Sequence, residues 1–207
     1  MDILHILFAA DEAFALPLAV AVRSLVTTLA PCKKATLWVA DYGLSEASRS
    51  TVAVAAGTHT LRWLPMGAGE TAEATWGRVD ALPILQKEGV ARVLYLDADT
   101  LIREDVSELW AVPFDGVAAV VDVGLCSAER PNYLNAGVLL LDLNHHAVHE
   151  IVAKRRSTAA AAAAATATAT ATTATVSAHK DQDLINGVLQ GRWTRLDMAW
   201  NAQGTDS

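Results

Sequence analysis

The sequence predicts an α/β domain built on a mostly parallel sheet flanked by helices, and three observations predict it. Apolar runs such as ILHILFAA at 3–10, VLYL at 93–96 and NAGVLLLDL at 135–143 lack the alternation of a half-exposed strand. They read instead as strands buried on both faces. Segments of helical length and composition lie between them, so strand and helix alternate. Polar turn residues close several of the runs, among them Asp11, Asp41 and Asp97. A chain of 207 residues supplies enough length for one domain of this kind with a substantial core.

The elements follow in order. The first strand, Ile3–Ala10, stops at Asp11-Glu12, and a helix is expected over Leu16–Leu29, with Pro17 in its first turn where a missing N–H costs nothing. Lys34–Ala40 is a second strand, and Asp41-Tyr42-Gly43 is its turn. Ser45 opens the next helix, with Glu46 favourable in the first turn. Leu61–Leu64 is a short third strand, Gly67–Thr75 a small-residue loop, and Leu82–Glu88 a helix that Gly89 ends. The Val93–Leu96 strand leads to Asp97-Ala98-Asp99, then to a short helix over Asp105–Trp110 and a strand over Val117–Val123. Leu125–Tyr133 is a loop, Asn135–Leu143 a strand and His145–Arg156 a helix. Asp181–Leu189 is helical, with Gly191 at its stop, and Trp193–Met198 forms a last strand. Residues 158–178 are nearly all Ala and Thr and offer no bulky apolar face to bury. They read as a low-complexity insertion, mobile or loosely helical, in a single domain spanning 1–207.

Composition removes several function classes. A net charge of −7 without a Lys/Arg run argues against a nucleic-acid backbone as partner. Cys32 and Cys126 are too few for a disulfide scaffold. No basic leader precedes the first apolar run and no uninterrupted membrane span is visible, so a cytoplasmic location is the default expectation. Neither a phosphate-binding G-x-x-x-x-G-K-[ST] nor a dinucleotide-binding G-x-G-x-x-G is present. His145, His146 and His149 share part of one helix, but no H-E-x-x-H accompanies them, and a solvated helix start explains them more simply than a metal.

The chemistry concentrates at strand ends, where open α/β sheets bind ligands. Asp97 and Asp99 flank a small Ala98, and as alternate residues continuing a strand they would point the same way. Two such carboxylates resist ionising together unless a cation lies between them, and an all-oxygen pair suits Mg²⁺ or Mn²⁺. The competing reading is a turn with two solvated aspartates. Asp11 and Asp122 end or interrupt other strands, whereas Asn135 opens one and is expected in a different geometry.

Four blocks in order, ILFAAD at 6–11, LYLDAD at 94–99, NAGVLLLDL at 135–143 and DQDLING at 181–187, resemble glycosyltransferase family 8, the family of glycogenin and the lipopolysaccharide galactosyltransferases. The resemblance implies a nucleotide-diphospho-sugar transferase fold of GT-A type and retaining, metal-dependent transfer of a hexose from a UDP-sugar. By position it implies that Ala9 and Asp11 meet the uridine base. Asp97, Ala98 and Asp99 meet the nucleotide, with Asp97 and Asp99 holding Mn²⁺ (or Mg²⁺) against the diphosphate. Arg78 would contact the donor, Asp122 and Asn135 would line the sugar pocket, Asp181 would hold donor-sugar hydroxyls, and the Gln182 amide would lie beside the anomeric carbon. Other readings stay open: Arg78 as a solvated helix arginine, Asn135 as a turn residue, and Asp181 and Asp183 as a capped, dipole-complementing helix start.

Two departures from the family pattern stand out. Ala13 replaces a polar residue expected near the ribose, and no H-x-x-G-x-x-K follows the DQD block. The expectation is therefore a domain lacking the family's C-terminal portion, with impaired turnover. The rival reading is a non-catalytic UDP-sugar-binding or scaffold domain. A hydrolase using paired carboxylates fits less well, because glycosidase carboxyls face each other across about 5–9 Å of substrate.

Overall fold

The runs at 3–10 and 93–96 are neighbours in the middle of the sheet in a computed structural model of the chain, which describes residues 3–67, 73–167 and 179–203. The first half alternates as expected: β1 (Leu4–Ala10), α1 (Ala15–Thr28), β2 (Ala35–Asp41), α2 (Glu46–Ala56) and β3 (Thr60–Pro65). A 3₁₀ turn at Ala74–Trp76 runs into two short helices, α3 (Gly77–Asp80) and α4 (Leu82–Lys87), and then into β4 (Arg92–Leu96). The second half comprises α5 (Ser107–Ala111), β5 (Val117–Val121), β6 (Leu134–Asp142), α6 (His146–Ala167), α7 (Lys180–Leu189) and β7 (Thr194–Arg195). Among the described residues these strands form one seven-stranded sheet in the order β3-β2-β1-β4-β6-β5-β7.

Both faces of the sheet are covered, which is why the strands read as continuous apolar runs. Ile6, Phe8, Leu94, Leu96, Val120 and Leu140 pack against α1 and α2 on one side. Leu7, Trp38, Tyr95, Leu139 and Leu141 pack against α3, α4, α6 and α7 on the other. Ser45 caps α2 by accepting from the Ser48 N–H, and Glu12 in turn accepts from the Ser45 N–H at 2.7 Å, which pins the turn after β1 to the start of α2.

Four expectations about single elements are corrected, but the expected class holds: the sheet is mostly parallel, with β6 running antiparallel to both of its neighbours. The reason is local: residues 122–133 contain no crossover helix, so the chain turns straight back, and only an antiparallel return is then possible. β4 ends at Leu96, so Asp97 and Asp99 lie in a turn beyond the strand, closed by the Thr100 N–H to the Asp97 carbonyl, and strand alternation does not set their directions. β5 stops at Val121, short of Asp122, and the last strand is only the pair Thr194–Arg195. α3 was not foreseen: its four residues fall between the loop expected at 67–75 and the helix expected at 82–88.

The Ala/Thr tract begins as a continuation of α6 as far as Ala167, and residues 168–178 lie outside the described residues. Among the described residues, no helix is long and apolar enough to cross a membrane.

Candidate functional site

Reversal of β6 brings its first residues to the edge where β1, β4 and β5 end. Asn135, expected in a different geometry, therefore shares a rim with Asp97 and Asp122. A bulge sharpens this. Ala119 lies opposite Leu139, but Val120 lies opposite Asn135, so Ala136–Val138 leave the β5–β6 ladder. Bulges of this kind re-aim side chains and leave backbone groups unpaired. Here the groups are claimed by the site: the Gly137 carbonyl accepts from the Asp97 N–H, and the Ala136 carbonyl accepts from Arg78.

Arg78 is buried, 8% exposed, which excludes the solvated-helix reading. Its Nη1 donates to Ala136 O at 2.7 Å, its Nη2 to Asp97 Oδ1 at 2.8 Å, and its Nε lies 2.9 Å from Asp181 Oδ2. The guanidinium carbon also lies 4.9 Å from the centre of the Tyr95 ring. One cation thus joins the aspartate after β4 to the aspartate opening α7. Burial works against the Arg78 charge, but Tyr95, Asp97 and Asp181 outweigh it and hold the guanidinium ionised more firmly than usual. Burial pushes the Asp97 carboxyl above the usual carboxylate range, against the pull of Arg78 and the Tyr95 hydroxyl. Arg78 reaches this position because Gly77 lets α3 lie directly on β1: a Cβ there would overlap that of Ala9 and come within 3.1 Å of Tyr42 Cε2.

A second network fixes the amides. Asp122 Oδ2 accepts from Gln182 Nε2 at 2.9 Å and from Asn135 Nδ2 at 3.0 Å, while its Oδ1 accepts from the N–H groups of Gly124 and Leu125. Gln182 Oε1 accepts from the Ala136 N–H at 2.9 Å, and Asn135 Oδ1 accepts from the Gly137 N–H and from Asn201 Nδ2. Four residues beyond Gln182, on the same face of α7, Asn186 makes a strand-like pair with Leu134: Oδ1 accepts its N–H and Nδ2 donates to its carbonyl. The helix is thereby registered against the bulged strand by its own side chains.

Arg78, Asp97, Asp122, Asn135, Asp181 and Gln182 are therefore contiguous. Asp99 is exposed and lines a neighbouring cavity of about 820 Å³, whose wall also includes Thr100, Val138, Trp200 and Asn201. Ala98 is buried in the turn. Asp11 sits just past the end of β1, where its Oδ1 caps the following 3₁₀ turn, accepting from Ala13 and Phe14 N–H; among the described residues no hydrogen bond or ion pair ties it to the cluster. Ala9 is buried beneath Gly77. Among the described residues no three His, Cys, Asp or Glu side chains gather into a metal cluster; His145 pairs with Asp115, and His149 lies against the Leu143 carbonyl.

Sequence reasoning missed Tyr95, Gly77, Gly137, Asn186 and Asn201. Gly137 forms a floor on which a Cβ would come within 3.0 Å of both Asp97 Oδ2 and Asn135 Oδ1. A signal for Tyr95 existed: it stands two residues before Asp97, the only hydroxyl in an apolar strand.

Known proteins share this architecture. The sequence model of glycosyl transferase family 8 matches residues 72–207. General stress protein A of Bacillus subtilis is 24% identical over 98% of this chain and 74% of its own length. An active-site mutant of LgtC superposes with a TM-score of 0.72 at 23% identity, covering 99% of this chain and 80% of LgtC. The galactosyltransferase LgtC bound to donor and acceptor sugar analogs gives 0.64 at 25% identity, over 89% and 70%. The bifunctional glycosyltransferase WbbM gives 0.72 at 18% identity, and there this chain spans 39% of the larger protein. The fold is that of the GT-A glycosyltransferases, and the chain belongs to glycosyltransferase family 8.

Proposed function

We propose that this domain binds a UDP-sugar and transfers its hexose, with retention, to an acceptor hydroxyl. The observation that carries the reading is the Arg78 strut, which holds Asp97 and the Asp181–Gln182 pair at one rim beside the exposed Asp99. Asp97 has one oxygen held by Arg78 and Tyr95 and the other near Gly137, and Asp99 is open to solvent. This donor set fits a hard cation of the Mg²⁺ or Mn²⁺ kind, which commonly takes one or two carboxylates and completes its shell with phosphate oxygens and water. When bound, such an ion offsets the charge that develops on a departing diphosphate.

The chain's own residues supply the rest. Gln182 is fixed at both ends of its amide, and its Oε1, with one lone pair on the Ala136 N–H, keeps a second that can face positive charge on a sugar ring. A primary amide is a weak nucleophile, so its role is to stabilise an oxocarbenium-like centre without forming a lasting bond. Asp122 holds Gln182 and Asn135 in place, and Asp181, anchored to Arg78 through Oδ2, offers its carboxylate to sugar hydroxyls.

Calorimetry of UDP with and without Mn²⁺, on the wild type and Asp99→Ala, tests the reading. Affinity is expected to require the ion and to fall at least about 10-fold in the variant, as loss of a coordinating carboxylate should cost at least what loss of an outer-shell partner does. Identical, ion-independent titrations for both proteins would overturn it. A second reading, a binding domain without turnover, is favoured by the degree to which the site residues already engage one another, Arg78 with Asp97 and Asp181, and Asp122 with Asn135 and Gln182. Ion-dependent UDP binding with neither hexose transfer nor donor hydrolysis would select it.

A further inference from the structure

We infer that Tyr95 is a positioning residue, whose hydroxyl turns the Asp97 carboxylate so that one oxygen faces the cleft. Tyr95 lies in the middle of the apolar run of β4 and is 1% exposed. A buried hydroxyl is costly unless it is hydrogen-bonded, and in an otherwise apolar strand Phe would fill the same space without that cost. The Tyr95 hydroxyl instead donates to Asp97 Oδ1 at 2.7 Å. Arg78 Nη2 donates to the same oxygen at 2.8 Å. Two donors on one oxygen oppose rotation of the carboxylate, whose terminal torsion is otherwise broad. A charged acceptor makes both bonds strong. No hydrogen bond among the described residues engages Oδ2, which lies at the Gly137 floor, where a Cβ would come within 3.0 Å of it. The Tyr95 ring also carries the Arg78 guanidinium at 4.9 Å, so a single side chain supports both the carboxylate and the cation that holds it.

This rests on the reading of Asp97 as a cation ligand, and the test separates the two. Tyr95→Phe removes one oxygen atom and keeps the ring beneath Arg78. UDP binding is measured by calorimetry across a Mn²⁺ titration, with circular dichroism as the check on folding. In the folded variant the Mn²⁺ midpoint is expected to rise about 10-fold or more, the usual effect of losing an outer-shell partner. UDP affinity at saturating Mn²⁺ is expected to stay unchanged, a split that a general loosening of the core would not produce. Tyr95→Met, which fills the slot without a hydroxyl, carries the same comparison if the Phe variant does not fold. An unchanged midpoint in a folded variant overturns the positioning role alone. A wild type whose UDP binding ignores Mn²⁺ overturns the ligand reading, and this inference with it.

Discussion

A methyl group added at Gly77 would have no space. It would overlap the Ala9 side chain and press on Tyr42 and Ala40, whose nearest atoms lie at 3.1 and 3.3 Å. Gly77→Ala is expected to lift α3 from β1 and destabilise the fold by about 1–3 kcal/mol, the usual cost of overpacking, measurable by urea denaturation. Because Arg78 is the next residue, the same shift would draw its guanidinium away from Asp97. At this scale the sequence was informative where chemistry and pattern coincide. Asp97, Asp181 and Gln182 stand out because carboxylates and amides interrupt or open otherwise regular elements. Tyr95 did not, since a tyrosine in an apolar run reads as core whether or not its hydroxyl has work to do. Arg78 was recognised, but nothing in Thr75-Trp76-Gly77-Arg78 revealed that its partners come from three other elements. Asp11 adds a role that the sequence did not show, since its Oδ1 caps the 3₁₀ turn that follows β1.

Among elements, α7 and β6 form the pair on which the site depends. Asn186 answers the Leu134 N–H and carbonyl and also donates to the Gln182 carbonyl one turn back. Asn186→Ala would leave that buried N–H without a partner, at a cost of about 1–3 kcal/mol read from a shift in the denaturation midpoint. Existence and order of the long elements were legible, because apolar runs and helical stretches alternate clearly. The direction of β6 was not. Periodicity reports burial, not polarity, and the missing crossover helix between β5 and β6 was the only clue. Nor was the bulge at Ala136–Val138 read from the sequence: it arises in the pairing with β5, and Gly137 inside the run was its local hint.

At the scale of the whole molecule, two apolar layers sandwich the sheet, and a titratable contact joins β1 to β2. The Trp38 indole N–H donates to His5 Nδ1 at 3.1 Å, and burial holds this imidazole below its ordinary value of 6.5. The sign follows from linkage: a histidine with a depressed folded value is bound by a proton more readily in the unfolded chain. Its contribution is therefore complete above pH 6.5 and is lost as pH falls through the lower folded value. Urea titrations at pH 7.5 and about pH 5 should show that loss, and His5→Asn, which keeps an acceptor for Trp38 but does not titrate, should flatten it. Charge balance and sheet class were readable at this scale, because both depend on summed composition more than on any single contact.

The side-chain pairing of α7 with β6 has a consequence for how the sequence can vary. The segment that leads into α7 is nearly all alanine and threonine, a composition with no bulky side chain to hold a helix in place. Since Gln182 and Asn186 dock on Ala136 and Leu134 directly, the place of the helix is set independently of how many residues lead into it. Changes in the length or composition of that segment are expected to leave the site's chemistry in place.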